Sequence, residues 1–236
     1  MLDFSQFRFL TFDCYGTLID WETGLLAALR PILEAHGKKI DDAELLEVYG
    51  ELEEEAERPP FAAYRDVLRS VVRGFGKKLG FTPSLLEEDT LPNSIPRWQP
   101  WPDTVAALKA LRSRYKLAII SNIDDDLFAP TSRHLQVAFD HVVTAGQAHC
   151  YKPGMAIFQL ALEKVGVPPA EVLHVGQSIY HDVLPAQSLG MKAVWVNRPS
   201  ARPNVGAVIR ASGKPDLEVH GLAKLAELAV GKQQGG

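Results

Sequence analysis

Five short, nearly unbroken apolar runs punctuate the chain: FRFLTFD (residues 7–13), KLAIIS (116–121), HVVTA (141–145), VLHVG (172–176) and KAVWVN (192–197). Each is too short for a helix and rich in β-branched or aromatic residues, as strands buried on both faces are. From the second run onward, helical patterns alternate with them, at 103–115, 154–165 and 181–189. Asp103 follows Pro102 and stands where an N-cap belongs. Gly166 and two prolines stop the second helix, and Gly190 stops the third. A short strand near Leu217–Val219 and a helix over 221–230 complete the series. Strands alternating with helices predict an α/β fold with a doubly wound parallel sheet.

Residues 20–98 break this rhythm. They hold helical patterns at 22–36, 42–57, 61–79 and about 84–89, with no strand pattern. The expected organisation is a core from residues 1–19 and 99–236, with 20–98 inserted as a helical lid over the carboxyl ends of the strands. The proline-rich segment LPNSIPRWQPWP (91–102) is expected to carry the return hinge. The acidic run at 51–57 is read as a solvated helix face, with an acidic pocket wall as the rarer alternative. Tyr15, Trp21 and parts of 42–65 are candidates for the pocket wall.

The 236 residues, 46% hydrophobic, suffice for one large domain or for a core plus a lid. Lys+Arg 25 against Asp+Glu 29 leaves a net charge of −4, which points away from nucleic acid and anionic membranes. No apolar run approaches a membrane span, and the N-terminus lacks a signal-peptide pattern. Cys14 and Cys150 are too few for a disulfide framework, so the expectation is a reduced, cytoplasmic protein. Cys14 is expected to face the core as a small apolar side chain. The terminal GKQQGG is expected to be frayed or cloning-derived.

Four short motifs carry chemistry, each directly after a strand-like run, where open α/β sheets bind ligands. In the first, Asp13-Cys-Tyr-Gly-Thr17, a carboxylate precedes a glycine turn. A carboxylate can displace a leaving group from carbon and form an ester that water then hydrolyses. The turn amides and the Thr17 hydroxyl are suited to holding it. In Asp-x-Asp arrangements a second acid protonates a leaving alkoxide and helps seat Mg²⁺. Here Tyr15 takes that place and cannot act as that acid near neutral pH. In the second motif, Ser121-Asn122 offer a hydroxyl and an amide to a substrate carboxylate or phosphate. Asp124, Asp125 and Asp126 follow as first-turn acids of the next helix. In the third, Tyr151-Lys152-Pro153, the ammonium would hold Asp13 ionised and steady developing negative charge. In the fourth, HVGQSIYHD (174–182), Asp182 is the candidate base that activates water. Ser178, Tyr180 and His181 are candidates to face the cleft and contact substrate.

An acid, a Ser/Thr, a lysine and a late acid in this order resemble the haloacid dehalogenase superfamily over most of the chain. The DxYGTL form with Ser-Asn and Tyr-Lys-Pro looks like its type II 2-haloacid dehalogenase branch. FDCYGTLIDWETG, SNID and SxYHD look closest to azetidine-2-carboxylate hydrolase and its relatives. The resemblance implies a Rossmann-like core with a helical cap, a monomer or homodimer, and metal-free chemistry on a small 2-substituted carboxylate. It implies Asp13 as nucleophile, Thr17, Ser121 and Asn122 as binding groups, Lys152 as stabiliser and Asp182 as water activator. Three departures bear on the leaving group. Tyr49 and Gly50 stand where the dehalogenases carry a cap arginine. Phe158 stands where they carry a tyrosine six places after the lysine. Gln177 and Ser178 stand where they show serine and asparagine. Carbon–halide hydrolysis and ring C–N hydrolysis both fit this pattern. A Mg²⁺-dependent phosphatase and a non-catalytic binding protein on the same fold are the competing readings; magnesium enters only in the former.

Overall fold

The computed structural model describes residues 2–198 and 211–231. Apart from Gly231, the GKQQGG segment lies outside them. Among the described residues, six parallel strands form one sheet in the order β3-β2-β1-β4-β5-β6. They are β1 (Phe9–Phe12), β2 (Lys116–Ser121), β3 (His141–Thr144), β4 (Val172–Gly176), β5 (Lys192–Val196) and β6 (Leu217–Val219). β1 is flanked by β2 and β4, with Phe12 level with Ile119 on one side and Val175 on the other. The chain winds outward from β1 to β3, then crosses to β4 and winds the other way. The strand order therefore reverses at β1, and the crevice beyond its carboxyl end is the expected ligand site of such a sheet. All four residues of β1 and all five of β4 are buried, which explains why both read as unbroken apolar runs.

Helices α1 (Trp21–Ala35), α2 (Asp42–Ala56), α3 (Tyr64–Leu79), α4 (Leu85–Glu88) and α5 (Thr90–Ser94) lie between β1 and β2 in the chain. No strand interrupts them, as the pattern predicts. α3 starts three residues later than expected, because the chain bends at 58–60 and Ala63 stays extended as the residue before the helix. The proline-rich segment differs from a loose hinge. It forms α5 and a 3₁₀ turn over Ile95–Arg97, and Leu91, Ile95 and Trp98 recur at helical spacing and are all buried. α6 (Thr104–Arg112) leads into β2, and the helices after β2 are α7 (Asp125–Leu135), α8 (Ala145–Ala148), α9 (Met155–Val165), α10 (Leu184–Ser188) and α11 (Leu222–Val230). A π-helical turn, Ile179–Val183, precedes α10 and moves that helical stretch two residues earlier than read from sequence.

Asp103 occupies the N-cap position of α6 without capping it. Its carboxylate instead accepts from Arg198 Nη1 (3.0 Å) and from the Ala223 amide at the start of α11 (3.1 Å). A short-range sequence rule cannot anticipate a partner 120 residues away.

Candidate active site

The carboxyl ends of β1, β2 and β4 and the loop after α8 deliver the motif residues to one small cavity of about 80 Å³. Asp13 directly follows β1, and its amide donates to Val175 O on β4 (3.0 Å), which pins the carboxylate over the strand reversal. Gly16 turns the chain at φ +96°; a Cβ there would come within 1.8 Å of Gln177 Oε1. Thr17 is fully buried behind Asp13 and donates to its Oδ2 (2.6 Å), while the Gln177 amide donates to Thr17 Oγ1 (2.8 Å). Thr17 therefore orients the carboxylate from beneath and does not line the cavity, unlike a direct substrate contact.

Lys152 Nζ donates to Asp13 Oδ1 (2.8 Å) and to Asp182 Oδ1 (2.7 Å). Asn122 holds the lysine loop in place with two bonds. Its Oδ1 accepts from the Lys152 amide (2.7 Å) and its Nδ2 donates to Lys152 O (3.2 Å). Asp182 Oδ2 accepts from the Ser178 amide (3.0 Å), and Gly176 lets Asp182 approach, since a Cβ there would lie 2.4 Å from its Cγ. A residue to which the fourth motif assigned no role completes this network. His174 on β4 is fully buried between Thr11 Oγ1 (2.9 Å) and Asp182 Oδ1 (3.3 Å). Its signal was a lone polar residue in an otherwise apolar strand.

One ammonium serves two buried carboxylates, and they respond in opposite directions. Burial drives Asp13 upward, and the lysine and Thr17 only partly offset this. Burial also acts on Asp182, but the Lys152 ammonium and His174 outweigh it and hold that carboxyl well below the usual range. Asp182 has the His174 ring beside it in addition to the shared lysine, whereas Asp13 feels the charge of Asp182. Asp13 is thus the carboxylate whose charged form is held less strongly, and Asp182 the one held more strongly.

Tyr15, Ser121, Asn122, Ser178 and His181 line the cavity together with Asp13, Lys152 and Asp182. The Tyr15 hydroxyl pairs with Thr131 Oγ1 (2.9 Å), and burial pushes its pKa well above the ordinary value, so it stays a neutral wall. Burial pushes His181 down to about 4, leaving the ring neutral near pH 7; its amide donates to Ser178 Oγ (3.0 Å). Tyr180 differs from expectation. It lies in the π-helical turn, packs edge-on against His181 and does not line the cavity. Cys14 is buried in the core, as expected.

The far wall comes from the helical insert. Trp21, the first residue of α1, lines the cavity and meets Tyr49 edge-on at 5.7 Å. Glu53 and Glu57 line it as well, so the acidic run is not uniformly a solvated face. Glu51, Glu54 and Glu55 are exposed, whereas Glu53 and Glu57, four residues apart, share the inward face with Tyr49. That i, i+4, i+8 spacing was the available signal. No arginine lines the cavity among the described residues, and Tyr49 bonds to Glu53 Oε1 (2.7 Å) where the cap guanidinium was sought. Phe158 is buried edge-on to His174, outside the cavity. The insert is tied down by Tyr151, whose hydroxyl donates to Ala62 O (2.8 Å). The Arg65 amide donates to Asp124 Oδ2 (3.2 Å), and the Arg65 guanidinium pairs with Asp126 (2.8 Å). Asp124 and Asp126 thus act across the junction as well as at the start of α7.

The two acids that a magnesium ion would have to share, Asp13 and Asp182, are bridged by the Lys152 ammonium. All four carboxylate oxygens already accept hydrogen bonds, and the lysine ammonium sits between the two acids.

The profile of the haloacid dehalogenase-like hydrolases matches residues 7–190. The (S)-2-haloacid dehalogenase of Pseudomonas sp. strain YL is 27% identical over 96% of this chain and 97% of its own. A glyceraldehyde 3-phosphate phosphatase of Methanothermobacter thermautotrophicus is 35% identical over 42% of this chain and 45% of its own. The L-2-haloacid dehalogenase of Xanthobacter autotrophicus, solved with chloropropionic acid covalently bound, superposes with a TM-score of 0.77 at 24% identity, covering 94% of this chain and 98% of that one. With the profile spanning well over half of its length, the chain belongs to the haloacid dehalogenase-like hydrolases.

Proposed function

We propose that this hydrolase acts without a metal on a small 2-substituted carboxylic acid, through a covalent ester on Asp13. The observation that carries this reading is the Asp13–Lys152–Asp182 triad, buried under the insert with Tyr15 in place of a second acid. Ser121, Asn122 and Trp21 Nε1 lie where a substrate carboxylate would be held, and both Ser121 Oγ and Trp21 Nε1 are buried without a partner. Asp13 attacks the carbon bearing the leaving group, and inversion delivers the ester. Asp182 then takes a proton from water as it attacks the ester carbonyl, and Lys152 steadies the oxyanion. The inserted helices act as the cap that keeps bulk water away until the ester forms. Similarity to (S)-2-haloacid dehalogenases supports halide as the leaving group. Glu53 and Glu57 in the wall, with no arginine lining the cavity among the described residues, favour a second reading in which a strained ring nitrogen leaves.

The Asp182→Asn protein tests the common step. Exposed to (S)-2-chloropropionate or azetidine-2-carboxylate with EDTA present, it is expected to accumulate an adduct on Asp13, read by intact-mass spectrometry and peptide mapping. No added mass with either compound, while phosphate esters are cleaved on adding Mg²⁺ to the unaltered protein, would sink the reading.

A further inference from the structure

The cavity wall has an imbalance of charge that dehalogenation does not explain. Four carboxylates line it, Asp13, Glu53, Glu57 and Asp182, against one ammonium, Lys152, which is already committed to Asp13 and Asp182. Glu53 Oε1 accepts from the Tyr49 and Tyr64 hydroxyls (2.7 and 2.5 Å). The Glu57 carboxylate has no hydrogen-bond or ion-pair partner among the described residues, yet it faces the same space. Partly desolvated acids without a cation are costly. Burial and the neighbouring Glu53 push Glu57 well above the usual carboxylate range, and burial pushes Glu53 up as well.

A second set of unmet groups lies in the same cavity and has the opposite character. Trp21 is only 7% exposed, its Nε1 donor has no acceptor, and Ser121 Oγ, on a residue 1% exposed, has no partner. A ligand that meets both sets must bring an acceptor for the indole and hydroxyl and a positive donor for the glutamates. A monoanionic halo acid brings only the first. A divalent cation is a poor match for the second. No group of three or more His, Cys, Asp or Glu able to hold a metal occurs among the described residues, and hard cations take six or more oxygens.

We propose that the ligand of this cavity is a small zwitterion, a carboxylate with a protonated nitrogen on or beside the carbon that Asp13 attacks, and that Glu53 and Glu57 form its cation subsite. The inference rests on Asp13 as a carbon nucleophile and names the charge of its substrate. If the nitrogen itself leaves, the step balances without an added acid. The C–O bond to Asp13 forms as the C–N bond breaks, and the electron pair goes to nitrogen. A carboxylate and an ammonium thus become a neutral ester and a neutral amine. A departing halide would instead place a new negative charge before two acids.

Two inert probes of equal size test the subsite: alanine, and 2-methylpropanoate, which has a methyl group in place of the ammonium. Calorimetry on the unaltered protein is expected to show alanine binding at least about tenfold more tightly, a difference of about 1.4 kcal/mol. In Glu57→Gln the preference is expected to fall to within about twofold, through loss of alanine binding with 2-methylpropanoate unchanged. The unchanged 2-methylpropanoate affinity also shows that the variant is folded. Equal or tighter binding of 2-methylpropanoate to the unaltered protein overturns the subsite, and the glutamates are then neutral donors to an anion. No heat from either probe in the millimolar range overturns it as well. The Asp182→Asn adduct reports the underlying reading separately. An adduct with 2-chloropropionate but no alanine preference sinks only the cation subsite. An alanine preference with no adduct from any substrate keeps the subsite and removes the nucleophile.

Discussion

Asp13→Asn is expected to lower kcat/KM by at least about 10⁴-fold on any substrate that the protein turns over, with no rescue by Mg²⁺. The amide matches the carboxylate in size, and its single oxygen can still accept from Lys152 or from Thr17, though its NH2 cannot accept from the other. What it loses is the anionic oxygen that forms the ester. No neighbouring group can substitute: Cys14 is fully buried with its thiol pushed up by burial, and Asp182 is held by Lys152 and the Ser178 amide. Halide or ring-opened product should therefore vanish, and the adduct seen in Asp182→Asn should vanish from the double variant. A Tm within a few degrees of the unaltered protein would show that the loss is chemical. Activity above a few per cent in a sample checked for reversion by mass spectrometry would remove Asp13 as nucleophile.

Lys152→Met is expected to lose both activity and stability. The side chain is 2% exposed and joins two carboxylates that are themselves nearly fully buried. Methionine fills most of its volume but leaves Asp13 and Asp182 facing each other without an intervening cation. Removing one partner of a buried charged set costs about 3–5 kcal/mol. The cost depends on pH in a defined sense. Without the ammonium, mutual repulsion and burial raise the folded-state pKa of the pair above its unfolded value. The folded variant then binds protons more tightly than the unfolded chain. Its deficit should be smallest below the unfolded carboxylate pKa of about 4 and grow as pH rises through the raised folded values. Denaturant unfolding at pH 4.5 and at pH 7 would check this, and a deficit independent of pH would mean that lost packing, not charge, is the cause. Lys152→Arg is not a neutral control, since the guanidinium fork cannot occupy the point between Asp13 Oδ1 and Asp182 Oδ1 without moving one of them.

The strand runs, their order and the motif after each were legible in the sequence because strands buried on both faces must be short and apolar, and because ligand groups sit where such strands end. Asp13, Lys152 and Asp182 could be singled out on that basis, and the structure brings them within hydrogen-bonding distance across separations of 139 and 30 residues. Ser121, Asn122, Ser178 and His181 followed from the same rule. The finer assignments did not. Thr17 and Tyr180 could not be sorted into support and wall, since a turn and a π-helical step decide where each side chain points.

The sequence alone determined the α/β alternation, the helical insert and the chemistry of the residues delivered to the strand ends, because hydrophobic periodicity and turn residues are local properties of the chain. Tertiary structure alone decided which acids of the run 51–57 face the cavity, that His174 backs Asp182, and that Asp103 joins Arg198 and the start of α11. Each depends on how α2, β4 or α11 docks against elements far away in sequence. The balance of charge in the cavity is therefore a property of that docking.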